Sequence, residues 1–241
     1  MEAVSCRCGR LAIVFAFALM VVGSPGSATA DPAVTVFPGM EIRQGGTVCM
    51  VGLVEPRLRV AVTSGQCESG TSEVTDRDGN PVGTVVLARR QAADDTAANG
   101  AMLPVEYEVI GLGATVTASD VLPTGRQLTS SPGLRAQPGL PVCQFRRADG
   151  QRCGSISSVS DGRFIIEDVA VDSRDFGGPV YALTDDNRAV IVGLFEGIWG
   201  SVPEMESWQA VMQQVYIDGR SQNQQQQLPG EARMIGHRVI A

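Results

Sequence analysis

From residue 33 onward the chain is a succession of short apolar runs rich in Val, Ile and Leu, punctuated by Gly, Pro, Asp and Asn. Runs of that kind bounded by turn formers read as strands, and they fall at 47–54, 59–63, 82–88, 107–112, 142–145, 163–169, 179–183 and 189–195. Many short strands with turn signals between them predict an all-β sandwich or barrel. Asp76-Arg77-Asp78-Gly79-Asn80 has the opening of a calcium loop, but Leu87 stands where such a loop needs its bidentate glutamate. A tight hairpin turn is therefore expected there. The period changes once: Trp208, Val211, Met212 and Val215 recur at helical spacing. Ser201-Val202-Pro203-Glu204, just ahead of them, fits a capping box with Pro inside the first turn. Beyond it, 218–241 reads as a polar, mobile tail whose segment 221–227 is Gln-rich and of low complexity.

The first thirty residues have another character. Arg7 and Arg10 precede an apolar stretch at 11–23, too short to span a bilayer, and Ala28-Thr29-Ala30 offers a small-x-small cleavage site. A signal peptide over 1–30 and a domain over 31–217 are expected, with no membrane span after cleavage. The chain of 241 residues carries 19 basic side chains, all Arg, against 26 acidic ones, for a net charge of −7. That balance disfavours nucleic acid and anionic membranes as partners, since both need a basic footprint. Cys6 and Cys8 leave with the signal peptide. Cys49, Cys67, Cys143 and Cys153 remain, an even set that favours disulfides in an exported chain and leaves three pairings open. With one histidine, His237, and no Cys-x-x-Cys spacing, no metal is expected, and no cofactor.

The segment Asp172-Ser173-Arg174-Asp175-Phe176-Gly177-Gly178-Pro179-Val180 resembles the nucleophile turn of the trypsin/chymotrypsin-like serine proteases, Gly-Asp-Ser-Gly-Gly-Pro. Asp175, Gly177, Gly178 and Pro179 stand in register, with Phe176 at the serine and Arg174 at the preceding glycine. Cys49 through Thr63-Ser64-Gly65-Gln66-Cys67 is similar to the strand pair ending in Thr-Ala-Gly-His-Cys. Glu106-Tyr107-Glu108-Val109-Ile110 is similar to the run that contributes the triad carboxylate. The segments 143–147 and 151–156 resemble the disulfide-closed hairpin of the secreted bacterial branch, the alpha-lytic protease and streptogrisin relatives. Val192-Gly193-Leu194-Phe195, with Trp199 and Gly200, resembles the wall of the specificity pocket. The same pattern is similar to that of exported trypsin-like proteins of mycobacteria.

The resemblance implies two six-stranded antiparallel β-barrels with one C-terminal helix. It pairs Cys49 with Cys67 and Cys143 with Cys153, each bridge worth about 3 kcal/mol in the chain-entropy picture. It also implies a degenerate triad. Gln66 stands at the base, and a neutral amide accepts no proton near pH 7. Glu106 keeps the carboxylate but has no imidazole to orient. Phe176 offers no nucleophile, and Arg174 replaces a glycine whose backbone forms half of the oxyanion hole. Ser173 lies three positions early, and His237 lies outside the order the family needs. Asp175, buried in an ion pair in the family, needs Arg146 or Arg174, because Gln144 stands where the bacterial branch has arginine. The chain is thus expected to be a secreted, non-catalytic protease homologue that binds protein or peptide. The alternatives are a hydrolase with displaced catalytic groups and a structural envelope protein.

Overall fold

A computed structural model describes residues 34–90, 104–167, 169, 172–184, 186–199 and 202–227. The expected signal peptide, Gly200 and His237 lie outside the described residues. The N-terminal half supplies β1 (Thr35–Val36), β2 (Glu41–Gln44), β3 (Thr47–Met50), β4 (Leu53–Glu55), β5 (Val60–Thr63), β6 (Glu73–Asp76), β7 (Pro81–Arg89), β8 (Tyr107–Leu112) and β9 (Thr117–Ala118). The C-terminal half supplies β10 (Leu128–Thr129), β11 (Pro141–Arg146), β12 (Gly150–Ser160), β13 (Arg163–Ile166), β14 (Pro179–Leu183), β15 (Ala189–Trp199), β16 (Val202–Ser207) and the helix α1 (Trp208–Gln227).

Seven N-terminal strands form a half-barrel in the order β3-β2-β6-β7-β8-β5-β4. In the C-terminal half, β15-β14-β11-β12-β13-β16 run round a ring that closes where β16 returns to β15. The architecture is all-β with a C-terminal helix. Alternation along each strand sorts its side chains between cores. In β8, Ile110 and Leu112 enter the N-terminal core beside Ile42, Val74 and Val82, while Tyr107 and Val109 face the seam between the barrels. Leu128, Tyr181, Ile191 and Leu194 complete that seam from the C-terminal side, and Trp208 and Val211 of α1 cover it. Phe164, Val180, Phe195 and Met205 fill the second barrel.

Both expected disulfides are formed. Cys49–Cys67 spans 18 residues and ties β3 to the turn after β5; Cys143–Cys153 joins directly opposed residues of β11 and β12. The Asp76 turn is the expected hairpin: its carboxylate accepts from the N–H groups of Asp78 and Asn80 and from the Asn80 amide.

The end of the chain differs from expectation. Of the segment read as a helix cap, Ser201 lies outside the described residues and 202–204 belong to strand β16, which pairs on both sides, Met205 lying opposite Phe164 and Phe195. A ring needs a sixth strand, and that closure overrides the local capping pattern. The helix begins at Trp208, whose indole N–H donates to Ser130 Oγ at 2.8 Å. It also runs past residue 217, because Asp218 is held by the Tyr107 hydroxyl at 2.7 Å and by Arg89. Among the described residues no helix is long and apolar enough to cross a membrane.

Replacing Cys49 and Cys67 together by serine is expected to cost about 3 kcal/mol by freeing the unfolded chain, read as a lower urea midpoint at unchanged slope.

Candidate functional site

Ser64 starts a 3-10 turn, Gly65–Cys67, by accepting the Gln66 N–H on its hydroxyl at 2.9 Å. The turn presses onto the approach to β8. A Cβ at position 65 would meet Arg89 O, Glu106 Cβ and Tyr107 N, so only glycine fits. This close approach puts the Gln66 amide over the carboxyl of Glu106, which is 2% exposed, and Gln66 Nε2 donates to Glu106 Oε2 at 2.5 Å. The structure therefore brings these two sequence-predicted positions together. The amide satisfies the carboxylate but offers no lone pair basic enough to take a proton from an alcohol.

The turn carrying Phe176 abuts the same region. Asp172 caps the 3-10 turn Ser173–Asp175, accepting the Arg174 N–H at 3.0 Å, and its carboxylate also holds the exposed Arg174 guanidinium. The amide at 174 is thus already bonded to an anion; the Arg174 guanidinium first, then that N–H, hold the Asp172 carboxyl well below its usual range. Asp175, 1% exposed, pairs with Arg146 Nε at 3.1 Å and accepts the Arg147 N–H at 3.0 Å. Of the two candidate partners for that carboxylate, Arg146 is the one used. Gly177 has φ +78°, and a Cβ there would strike Thr63 Oγ1, Met50 O and Ser64 N, which sets the turn against the strand leading to Gln66. Phe176 O accepts from Met50 N at 2.8 Å. The Phe176 side chain packs against both barrel cores and stacks on Phe195 with ring centroids 5.5 Å apart.

The remaining candidates stand elsewhere. Ser173 is exposed at the outer side of its turn. Trp199 ends β15, paired with Val202; its side chain lies outside the described residues. Gln144 is buried in β11 with both amide atoms unpartnered. Among the described residues no group of three or more His, Cys, Asp or Glu side chains could hold a metal ion. A cavity of about 620 Å³ is lined by Phe37, Met40, Glu41, Phe145 and Arg147, and another of about 430 Å³ by Ser130, Leu134, Trp208, Met212 and Tyr216. Neither is lined by Gln66, Glu106 or Phe176.

Sequence reasoning missed a set of buried acids. Glu196 lies in a bulge of β15 and is 3% exposed; Glu206 in β16 is fully buried, 3.3 Å from Arg163 Nε. Glu108 is buried inside the N-terminal half-barrel, where the Gln44 amide donates to it. Burial, opposed by the Gln44 hydrogen bond, pushes the Glu108 carboxyl up to about 7. Burial, opposed by Arg163, pushes Glu206 up to about 7 as well. The available signal was Glu196 standing alone inside the apolar run 189–199.

No family model matches the chain. It is 42% identical over 203 residues to the uncharacterized protein Rv1815 of Mycobacterium tuberculosis, covering 83% of this chain and 91% of that protein. The chain belongs to the Rv1815 family. This member of the Rv1815 family is similar in structure to a glutamic acid specific serine protease, with TM-score 0.56 and 16% identity over 76% of this chain and 98% of that one. Cellulomonas bogoriensis chymotrypsin matches with TM-score 0.52 and 19% identity over 75% and 95%. The fold is therefore the trypsin/chymotrypsin-like one.

Two outcomes are expected. Arg146→Met strands a buried carboxylate and is expected to destabilise the fold by about 3 kcal/mol, measured by urea unfolding, with Asp175→Asn in the same chain recovering part of the loss. Glu108 binds its proton more tightly in the folded chain than in the unfolded one. Its neutral form is favoured by folding, so its contribution to stability is greatest at acid pH and falls as pH rises from the usual carboxylate range through about 7. Glu108→Gln is expected to remove a pH-dependent loss on the order of 2–3 kcal/mol, seen as a flatter profile of unfolding free energy between pH 4 and pH 8.

Proposed function

We propose that the chain is an exported, non-catalytic serine-protease homologue that binds protein or peptide. The observation that carries this reading is the side chain of Phe176: an aromatic ring packed into both cores occupies the place where acyl transfer needs an exposed alcohol. Two features support it. Gln66 offers an amide where a base is required, and the Arg174 N–H, the counterpart of an oxyanion donor, is taken up by Asp172. Residual acceleration after loss of a triad amounts to roughly 10³–10⁴ over water and depends on the oxyanion hole; an anion bonded to that amide opposes even this. Export is supported by the signal-like segment 1–30 and by two disulfides, which persist in oxidising compartments. The cavity of about 620 Å³, with Phe37, Met40 and Phe145 beside the Arg147–Glu41 ion pair, has the composition of a small site for a peptide side chain.

The purified chain is expected to remain unlabelled by a fluorophosphonate probe, and stoichiometric labelling overturns the reading. Phe176→Ser alone is expected to give no ester turnover, because position 66 supplies no base, and to cost about 2 kcal/mol in lost ring packing. Assay beside the Gln66→His/Phe176→Ser pair checks this; appreciable turnover by the single variant refutes it.

A further inference from the structure

Two polar side chains meet inside the apolar core of the N-terminal half-barrel. Gln44 ends β2 and shares its inward face with Ile42; Glu108 stands in β8 and shares its own with Ile110 and Leu112. Both are 1% exposed. Strands β6 and β7 lie between β2 and β8 in the sheet, so this contact runs through the interior and not along a ladder.

Gln44 Nε2 donates to Glu108 Oε2. The second oxygen of each group, Gln44 Oε1 and Glu108 Oε1, is buried with no hydrogen-bond partner. Each orphan shares its carbon with an atom of the bond already made. An ionised carboxylate only accepts, and so does an amide oxygen, so with Glu108 charged neither orphan can satisfy the other and each keeps its cost of burial. A carboxylic acid carries one O–H. Placed on Glu108 Oε1, that proton makes a donor of one orphan, and the orphan amide oxygen is the acceptor it needs.

The charged groups that act on the pair are Glu68, one residue past the first 3-10 turn, and Arg90, one residue past β7. Arg90 Nη1 donates to Glu68 O at 3.3 Å. Thr63 of β5 and Ala88 of β7, opposite Glu108, and Thr47 of β3, opposite Gln44, bring no charge.

We propose that Glu108 in the folded chain carries a proton on Oε1 and donates it to Gln44 Oε1, closing with the existing bond a ring of two hydrogen bonds that ties β2 to β8 across the half-barrel. The proton is taken from solvent as the chain folds and returns to solvent when the ring opens. Gln44 then accepts as well as donates, and both orphans are satisfied at once. Burial, opposed by the Gln44 N–H, aided by the charge of Glu68 and opposed again by Arg90, pushes the Glu108 carboxyl up to about 7. The tie is therefore closed at acid pH and opens as pH rises through about 7. It stands independently of the ligand-binding reading.

Carbon-13 NMR of the full chain from pH 5 to pH 9, with the side-chain Cδ atoms of Glu108 and Gln44 assigned through the backbone, tests the ring. At pH 5 the Glu108 signal is expected at the position of a neutral acid. It moves to that of a carboxylate with a midpoint near 7, and the Gln44 carbonyl carbon follows with the same midpoint. A Glu108 carboxylate already ionised at pH 5, as in a carboxylate bridged to the amide by water, overturns the proposal. So does a Gln44 carbonyl indifferent to the titration. Hydrogen exchange, corrected for intrinsic rates, supplies a second reading. Peptides covering β2 and β8 are expected to lose protection roughly tenfold or more over the same range. Glu108→Gln closes the same ring with an amide that does not titrate, and it is expected to hold its protection throughout. The same loss in that variant also overturns the proposal, and the NMR outcome decides even if the variant does not fold.

Discussion

A carboxyl group buried at 2% exposure has to be satisfied from within, and the seam between the barrels is arranged around that need at Glu106. The 3-10 turn at Gly65–Cys67 delivers an amide donor to it. In a working triad a carboxylate at this place holds an imidazole in the right tautomer and supports its charge. Here the same geometry ends in an amide, which donates as well as imidazole does but has no comparable basicity. The hydrogen bond and the chemistry are separable, and on the proposed reading this site keeps the former.

The turn bearing Phe176 makes the same separation. Its backbone is held by contacts that do not involve the side chain at 176. These are the Asp175 carboxylate between Arg146 and the Arg147 N–H, the left-handed Gly177 against Thr63, and Phe176 O on Met50 N. A benzyl group placed on such a turn has apolar surface to bury and no polar atom to present. It finds Phe195 and the edges of both cores, gaining the stacking and burial open to any aromatic side chain. On the proposed reading, packing thus takes over a position that needs exposure in an acyl-transfer site.

Several carboxyls are buried in the interior. Glu108, Glu196 and Glu206 are all displaced toward their neutral forms, chiefly by burial; Arg163 stands 3.3 Å from Glu206, and the charge of Arg90 opposes the shift at Glu108. Burying carboxyls ties the barrels to their protonation state. The cost of the ionised forms falls on the folded chain and not on the unfolded one.

Much of this could be read from residue patterns. Strands 107–112 and 179–183 carry local apolar runs dense enough to fix their limits, and the Asp76 hairpin is a matter of local turn chemistry. Gln66, Glu106 and Phe176 stood out because short motifs hold them in order along the chain. Elsewhere local patterns were ambiguous. The pattern at Val202 to Glu204 suits the start of a helix and a strand equally well, and closure of a six-stranded ring chose the strand. Strand β12 is largely polar because Ile156 is its one fully buried side chain, so its sequence shows no apolar run. Helix α1 continues through a Gln-rich stretch after Tyr107 and Arg89 fasten Asp218. The inward placement of Glu196 and Glu206 was settled by tertiary structure alone. A charged residue in a strand shows which face it occupies only when the opposing barrel is in place, and the partners that make its burial tolerable lie far away along the chain.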